Sequence, residues 1–255
     1  MSSKDRALHE APRPKRASIF WWSLAHLLVI SFAVTSWVSC LYIFNYPEKP
    51  ENYEILRKLG RLPAVTSFDP LSAPEGNPAN PKTLYKKFFP QDPEALDGLN
   101  LQFRRGYIRN YHRSDPRFTI YIEGDFLVES VAPLETQDFF HPGLRVRAQA
   151  LVRPDELSEP APYPVWIDLL LPTAAPPSGD LMPIGEPLSL EHINHRIAIL
   201  HAAKTTLADE PAVLVTAVPL AYKNIKSTAG RTLPLAPPGA LNLEATFTPP
   251  VNSGS

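Results

Sequence analysis

One uninterrupted apolar segment near the N-terminus constrains this chain more than any other feature. No Asp, Glu, Lys or Arg lies between Ala17 and Pro47, and the apolar run extends from Ile19 to Phe44. A helix over that run, rising about 1.5 Å per residue, would be roughly 39 Å long, whereas the hydrocarbon core of a bilayer is about 30 Å thick. The sequence therefore predicts a single transmembrane helix over residues 19–44.

Aromatic side chains at both ends of the run favour a membrane over a protein core. Trp21 and Trp22 lie near its start, and Tyr42 and Tyr46 lie near its end. Such residues collect at the two membrane–water interfaces because their rings are apolar while their N–H or O–H groups need water. We expect these four residues to anchor the helix. A buried core helix would need neither the length nor the aromatic pairs.

The charges beside the run predict its orientation. Basic residues outnumber acidic ones before it, where the acidic residues are Asp5 and Glu10. The basic residues are Lys4, Arg6, Arg13, Lys15 and Arg16. Positive residues next to a span stay in the cytoplasm. Residues 1–18 are therefore predicted to form a basic cytoplasmic tail, and the chain beyond residue 45 is predicted to be extracytoplasmic, in the periplasm if the cell is Gram-negative.

The position of the only cysteine, Cys40, bears on how the chain is processed. Cys40 lies inside the apolar run, so the exported part is predicted to fold without a disulfide. A cleaved signal peptide is disfavoured because its apolar region is only about 7–15 residues long. A lipoprotein signal acylated at Cys40 is disfavoured by the bulky Trp37 and by the continuation of the run to Phe44. Processing at Cys40 is kept as an alternative.

Residues 45–83 are predicted to connect the span to a folded domain. Their first part has a short amphipathic helix pattern, with Asn52 as a plausible cap and Pro63 as its end. The apolar face of that pattern consists of Ile55, Leu56, Leu59 and Leu62. The chain contains 30 prolines, and five of them fall in residues 63–83. A semi-extended, proline-rich linker is expected there.

Residues 84–248 are predicted to be a mainly β, α+β exported domain. Segments with period-two alternation or short apolar runs predict strands. These segments are residues 101–111, 118–128, 144–153, 165–171, 212–218 and 241–247. One helix is predicted from Ser189 to Leu207. Clean alternation favours antiparallel strands with one wet face, so we expect a small antiparallel barrel or sandwich with one packed helix, followed by a flexible tail over residues 249–255.

Arginines suggest one candidate binding surface. Several arginines lie in the predicted strands 101–111 and 144–153, and some of them share a face of the domain if those strands are neighbours. The candidate patch comprises Arg104, Arg105, Arg109, Arg145 and Arg147. Guanidinium groups there would suit an anionic lipid head group, an acidic glycan or an acidic protein. The alternative is a solvated strand face that discourages edge-to-edge association. Nucleic acid is not expected as a partner, because the domain is predicted to be extracytoplasmic and the net charge is −1.

Histidines and one acidic residue suggest a second, catalytic alternative. His192 and His195 have helical metal-ligand spacing, but His201 would point to the other side of the same helix, and a third ligand is missing. Asp168 lies in an apolar strand, where it could serve a site or pair with an arginine. No G-x-S-x-G, phosphate-binding loop or dinucleotide fingerprint occurs. No cofactor is predicted.

These observations lead to three functional hypotheses. The first is a non-catalytic, membrane-anchored accessory or scaffold subunit of a cell-envelope or membrane complex, with the bilayer and other membrane proteins as partners. The second is a binding module for an anionic envelope ligand through the arginine patch. The third is an envelope hydrolase that uses His192, His195 and Asp168. The absence of catalytic motifs from the sequence favours the first hypothesis.

Overall fold

A computed structural model describes ten stretches of the chain, which form two compact units, Met1–Asn45 and Tyr46–Ser255. The described stretches are residues 16–47, 49–60, 76–108, 119–150, 164–177, 182–191, 196–207, 210–220, 225–226 and 232–247. The predicted basic tail, most of the proline-rich linker and the C-terminal tail lie outside the described residues. The first unit is therefore described by its helix alone.

Helix α1 (Arg16–Asn45) confirms the prediction of a long apolar N-terminal helix. Among the described residues it is the one helix long and apolar enough to cross a membrane, over Phe20–Asn45. None of that segment is buried in the structure, which distinguishes it from the core helix of a soluble protein. Trp22 and Trp37 expose about two thirds of their surfaces (67% and 68%). His26 is satisfied within the helix, because its Nδ1 lies 2.7 Å from the carbonyl oxygen of Trp22.

The second unit contains three helices and ten strands among its described residues. The helices are α2 (Pro50–Lys58), α3 (Pro81–Phe88) and α4 (Pro93–Ile108). The strands are β1 (Asn77–Ala79), β2 (Ile120–Ile122), β3 (Gly124–Pro133), β4 (Gly143–Ala150), β5 (Val165–Pro172), β6 (Pro187–Leu190), β7 (Ile197–Leu207), β8 (Glu210–Pro219), β9 (Ile225–Lys226) and β10 (Thr232–Leu233). Helix α2 lies where a short helix was predicted, but Asn52 is inside it instead of capping it, and of the predicted apolar face Leu56 is buried whereas Ile55 and Leu59 are exposed.

Eight of these strands form one open sheet in the order β1-β2-β7-β8-β5-β4-β3-β6, and β9 pairs with β10. The prediction of a mainly β, α+β domain is confirmed. Five of the seven pairings in the large sheet are antiparallel, as expected. The β1–β2 and β5–β8 pairings are parallel, so the sheet is mixed.

The strand predicted over residues 101–111 is wrong, because residues 101–108 belong to α4. The buried side chains of α4 recur at helical spacing, as Leu96, Phe103 and Tyr107. Asp92 starts the helix: its Oδ1 accepts the N–H of Ala95 at 2.7 Å. A carboxylate at this position satisfies a backbone donor that the first turn leaves open. The alternation read as a strand was therefore part of a helical pattern.

The helix predicted from Ser189 to Leu207 is also wrong. The sheet strands β6 and β7 occupy this stretch, and residues 192–195 lie outside the described residues. The four residues from Ile197 to Leu200 are all fully buried, because β7 is covered on both faces of the sheet at this end. A strand buried on both faces shows no alternation, so its apolar residues were read as a helical stripe.

The strand predicted over residues 241–247 is wrong as well, since this stretch is irregular. It is nevertheless packed on the domain, with Leu241 and Ala245 buried. The N–H of Asn242 donates to the carbonyl oxygen of Phe139 at 2.8 Å. By contrast, the strands predicted over 118–128, 144–153, 165–171 and 212–218 are confirmed in position by β2 with β3, β4, β5 and β8.

The large sheet carries a core on each face. On one face, the strands pack against apolar side chains of α3 and α4, including Phe88 and Phe103. On the other face, Leu170 of β5 belongs to a second cluster with aromatic side chains such as Tyr107 and Phe139. Alternate residues of β5, such as Leu169 and Leu170, therefore serve different cores. Side chains on both faces of the central strands are removed from water.

Helix α4 covers an edge of the sheet through one side-chain amide. Within the stretches that the structure describes, strand β2 pairs with β7 at Ala198 only, and none of those stretches adds a strand beside the part of β7 farther along on that side. There the buried Asn100 donates from Nδ2 to the carbonyl oxygen of Ala202 at 3.0 Å and accepts its N–H at 2.8 Å. The amide thus makes the two hydrogen bonds that a neighbouring strand would make, and it protects the edge.

Replacing Asn100 with leucine, which has a similar volume, should lower the free energy of unfolding by about 2–4 kcal/mol, because a buried N–H and a buried C=O lose their partner. The measurement is urea denaturation of the full chain in mild detergent. Leu101→Ala on the same helix is the control: Leu101 is 43% exposed, and its loss should change stability by no more than about 0.5 kcal/mol. Equal stability of the two variants would contradict the role given to Asn100.

Candidate functional site

A buried ion pair joins β4 to β5. Arg147 and Asp168 are register partners in these antiparallel strands. Arg147 donates from Nε to Oδ1 and from an Nη2 hydrogen to Oδ2 of Asp168, and both distances are 2.7 Å. The two side chains are only 11% and 9% exposed. Two parallel bonds between a guanidinium and a carboxylate are the strongest form of this pairing, so each charge offsets the desolvation of the other.

A second arginine–carboxylate pair holds the β3–β4 loop. Arg145 donates to Asp138, and the other oxygen of Asp138 accepts the N–H of Glu135 at 2.7 Å. Asn242 of the C-terminal segment donates to the carbonyl oxygen of Gln137 at 3.0 Å. Together these groups border an open polar groove of about 510 Å³. The groove is lined by Gln137, Asp138, Arg145, Asn242, Glu244, Ala245 and Thr246.

Strand register extends the Arg147–Asp168 pair into a row of four polar residues. Asp168 is opposite Thr216 of β8, and Thr216 is opposite His201 of β7. Asp168 and Thr216 are buried (6% and 4% exposed). A register shift in β7 between Ile199 and His201 brings the histidine into this row. The row crosses four strands on the sheet face that also carries the aromatic cluster.

His201 is held in an apolar and cationic environment. Its ring stacks on Phe247, with centroids 5.2 Å apart and planes 28° apart. The guanidinium carbon of Arg104 lies 4.8 Å from the centroid of the same phenyl ring. Burial, reinforced by the positive charge of Arg104 and opposed by Asp97, lowers the pKa of His201 from 6.5 to about 4. The imidazole is therefore neutral at physiological pH.

Arginines of α4 contact aromatic rings on the same side of the domain. The guanidinium carbon of Arg105 lies 5.4 Å from the ring centroid of Tyr46, and Arg104 contacts Phe247 as described. Burial lowers the pKa of Arg104, and the nearby Asp97 opposes that shift. Planar guanidinium groups stack well on aromatic faces. These two arginines therefore pack the helix against the segments at each end of the second unit.

The structure distributes the predicted patch over several elements. Arg145 and Arg147 lie two residues apart on β4 and so share one face of the sheet. Arg104 and Arg105 lie on α4 instead of on a neighbouring strand. Arg109 lies outside the described residues, as do His192 and His195 of the catalytic alternative. The predicted anchors Trp21, Trp22 and Tyr42 are exposed on α1, whereas Tyr46 is the first residue of the second unit.

The geometry bears directly on what this row can do chemically. His201 and Asp168 are separated by β8, and adjacent strands are about 4.8 Å apart, so the two side chains start roughly 9.6 Å apart. Both oxygens of the Asp168 carboxylate instead accept hydrogen bonds from Arg147. Among the described residues no group of three His, Cys, Asp or Glu side chains could hold a metal ion. The row as described is suited to holding strands together.

Sequence reasoning missed several residues of this region. Thr216 lies in an apolar strand and Asn100 immediately precedes the segment 101–111 that is predicted as a strand, so the local pattern marks neither residue. The role of Phe247 depends on a contact with a residue 46 positions earlier in the chain, which no local pattern reveals. A useful signal did exist for α4: an Asp followed by Pro, here Asp92 and Pro93, is typical of a helix start.

Comparisons with known proteins do not identify a family for this chain, so the proposed function rests on the geometry. No protein-family model, no curated protein and no solved structure matches this chain.

Removing one partner of the buried Arg147–Asp168 ion pair should lower the stability of the fold. Asp168→Asn leaves the Arg147 guanidinium buried without a counter-charge, so the free energy of unfolding should fall by about 3–5 kcal/mol. The double replacement Arg147→Met with Asp168→Leu should recover most of that loss. The control is Arg57→Ala, which breaks an exposed pair with Glu54 and should cost at most about 0.5 kcal/mol. Additive effects of the two buried substitutions would contradict direct coupling.

Stability should depend on pH through His201. Between pH about 6.5 and about 4 the unfolded histidine binds a proton that the folded one does not, so the free energy of unfolding should fall as pH falls through that window. The loss should approach at most roughly 3 kcal/mol, the free energy of the whole shift. His201→Gln should flatten this part of the profile, and the exposed His141→Gln should not. Identical profiles for all three proteins would contradict the proposed environment of His201.

Proposed function

We propose that this protein is a non-catalytic, membrane-anchored accessory or scaffold subunit of a cell-envelope or membrane complex. In this proposal α1 crosses the bilayer, the N-terminal tail is cytoplasmic, and the second unit lies on the opposite side. The observation that carries the proposal is the exposed apolar surface of α1. A helix that is apolar all round and unburied in its own chain needs lipid or another protein around it.

The second unit supports the non-catalytic part of the proposal through the state of its polar groups. Asp168 accepts two bonds from Arg147, and Asp138 accepts bonds from Arg145 and from a backbone N–H. Both carboxylates are thus engaged in structural pairs. His201 is neutral and lies under Phe247. These polar residues hold the fold together, which is the pattern expected of a structural or interaction domain.

The two alternatives receive less support. An anionic ligand at the predicted patch would have to compete with the carboxylates that already hold Arg145 and Arg147. A hydrolase would need a base and a positioned partner, and Asp168 is committed to Arg147. Both alternatives stay predictions, since Arg109, His192 and His195 lie outside the described residues.

The proposal predicts that the full chain stays in the membrane after an alkaline wash. It also predicts that, in mild detergent, the chain elutes with other membrane proteins at a size well above its monomer. The matched control replaces Leu28 and Val34 with arginine, since each charge at mid-span costs about 2.5–3.5 kcal/mol. That variant should leave the membrane fraction and lose the associated proteins. A wild-type chain that is soluble, or that elutes alone as a monomer, would refute the proposal.

Orientation is tested with single cysteines in a Cys40→Ser background. A membrane-impermeant maleimide applied to intact cells should label Ser255→Cys and should label Ser2→Cys only after lysis. The reverse pattern would show the opposite orientation, and labelling of both positions in intact cells would show that the chain does not span.

A further inference from the structure

Residues 241–247 pack on the second unit as an irregular segment whose two parts are held differently. The first two residues are hydrogen-bonded to other elements. The N–H of Leu241 donates to the Tyr53 hydroxyl at 3.2 Å, and the N–H of Asn242 donates to a carbonyl oxygen of the β3–β4 loop at 2.8 Å. Among the described residues, no hydrogen bond joins residues 243–247 to another element. This second part, which we call the latch, therefore depends on side-chain packing.

The ring of Phe247 joins the latch to three other elements. Its centroid lies 5.7 Å from the ring centroid of Phe139, 5.2 Å from that of His201 and 4.8 Å from the guanidinium carbon of Arg104. Ala245 is a second, smaller contact and is buried. Because the phenyl ring stacks on the imidazole with 28° between their planes, the closed latch keeps water from that face of His201.

The charges around His201 make its contact with the latch sensitive to protonation. Among the described residues, the charged groups that act on the imidazole are Arg104 and Asp97 of α4, and its neighbours Thr216 and Phe247 are uncharged. Burial and the charge of Arg104 lower the pKa of His201 to about 4, whereas Asp97 opposes them. A phenyl ring attracts a cation, but this ring already faces the guanidinium of Arg104. A second positive charge at the closed latch is therefore unfavourable.

We propose that the latch is closed at neutral pH and is released when His201 takes up a proton. Release moves the phenyl ring away and lets water reach the imidazole, which stabilises the protonated form. By linkage, the folded state with an open latch gains population as pH falls below the ordinary pKa of histidine, about 6.5. The gain ends near pH 4, where the closed form also binds the proton. The latch belongs to the second unit, so its release does not depend on whether α1 crosses a membrane.

Thiol labelling of the full chain in mild detergent tests this release. Single cysteines are placed at Ala245→Cys in the latch and at Ala148→Cys in β4, both in a Cys40→Ser background. Each labelling rate is divided by that of the exposed Ile184→Cys (67% exposed), which cancels the effect of pH on thiol reactivity. Between pH 7 and pH 5 the relative rate at position 245 should rise several-fold. The rate at position 148, whose side chain is fully buried, should stay low at both pH values.

Two histidine variants identify the group that takes up the proton. His201→Gln should remove the rise at position 245, because glutamine does not titrate. His141→Gln, at an exposed histidine outside the latch, should leave the rise unchanged. A rise that persists in His201→Gln would overturn the proposal. Equal rises at positions 245 and 148 would show that the whole domain opens in acid, and the proposal would again be wrong.

A third variant tests the role of the ring and does not require His201 to be replaced. Phe247→Leu keeps an apolar side chain but loses the stack on the imidazole. The relative labelling rate at position 245 should then be high already at pH 7 and should change little at pH 5, while position 148 stays protected. Slow labelling of position 245 in this variant at pH 7 would show that the ring does not hold the latch closed, which would refute the proposal.

Discussion

The second unit depends on covering both faces of its central strands. Consecutive residues Leu169 and Leu170 of β5 are 0% and 2% exposed, and each belongs to a different core. A polar side chain in such a strand cannot form hydrogen bonds with water. An unpaired charge there lowers the free energy of unfolding by several kcal/mol. Asp168 is tolerated between two apolar neighbours because Arg147 stands opposite it in register. The covered sheet therefore dictates which polar residues must meet.

The same constraint explains the position of α4. Covering a face of the sheet still leaves backbone groups open wherever a strand lacks a neighbour. Strand β2 is too short to pair with β7 beyond Ala198, and α4 fills the gap with Asn100. The helix thus supplies apolar contacts through Phe103 and hydrogen bonds through Asn100 on neighbouring turns. A side chain 102 positions away in the sequence completes the edge of β7.

This dependence on distant partners sets the limit of what the sequence could predict. Strand β4 was found because its Val146 and Ala148 alternate with arginines, which is a purely local pattern. The apolar N-terminal helix was found for the same reason. Burial of β7 on both faces removes alternation, so the spacing of its apolar residues wrongly predicts a helix. The row of Arg147, Asp168, Thr216 and His201 could not be predicted from the sequence, because it depends on the register of four strands, two of which pair in parallel.

Helices α3 and α4 each carry a local sequence signal that marks where the helix begins. Asn80 and Asp92 each precede a proline and each caps a helix through its side chain. The residues after Asp92 also alternate well enough to resemble a strand. Helical spacing of Leu96, Phe103 and Tyr107 decides between the two interpretations only when the whole stretch is considered with its cap. Arg104 and Arg105, which the alternation assigns to a strand, lie on α4, and the candidate arginine patch stays a prediction.

The distribution of polar groups connects the fold to the kind of function we propose. The sheet uses Arg147, Asp168 and Thr216 inside the domain, and the loop beside it uses Arg145 and Asp138. The buried Arg147–Asp168 pair holds β4 and β5 in register, and a ligand could recruit either group only by breaking that pair. Under the proposed function, recognition of a partner would use surfaces other than this pair.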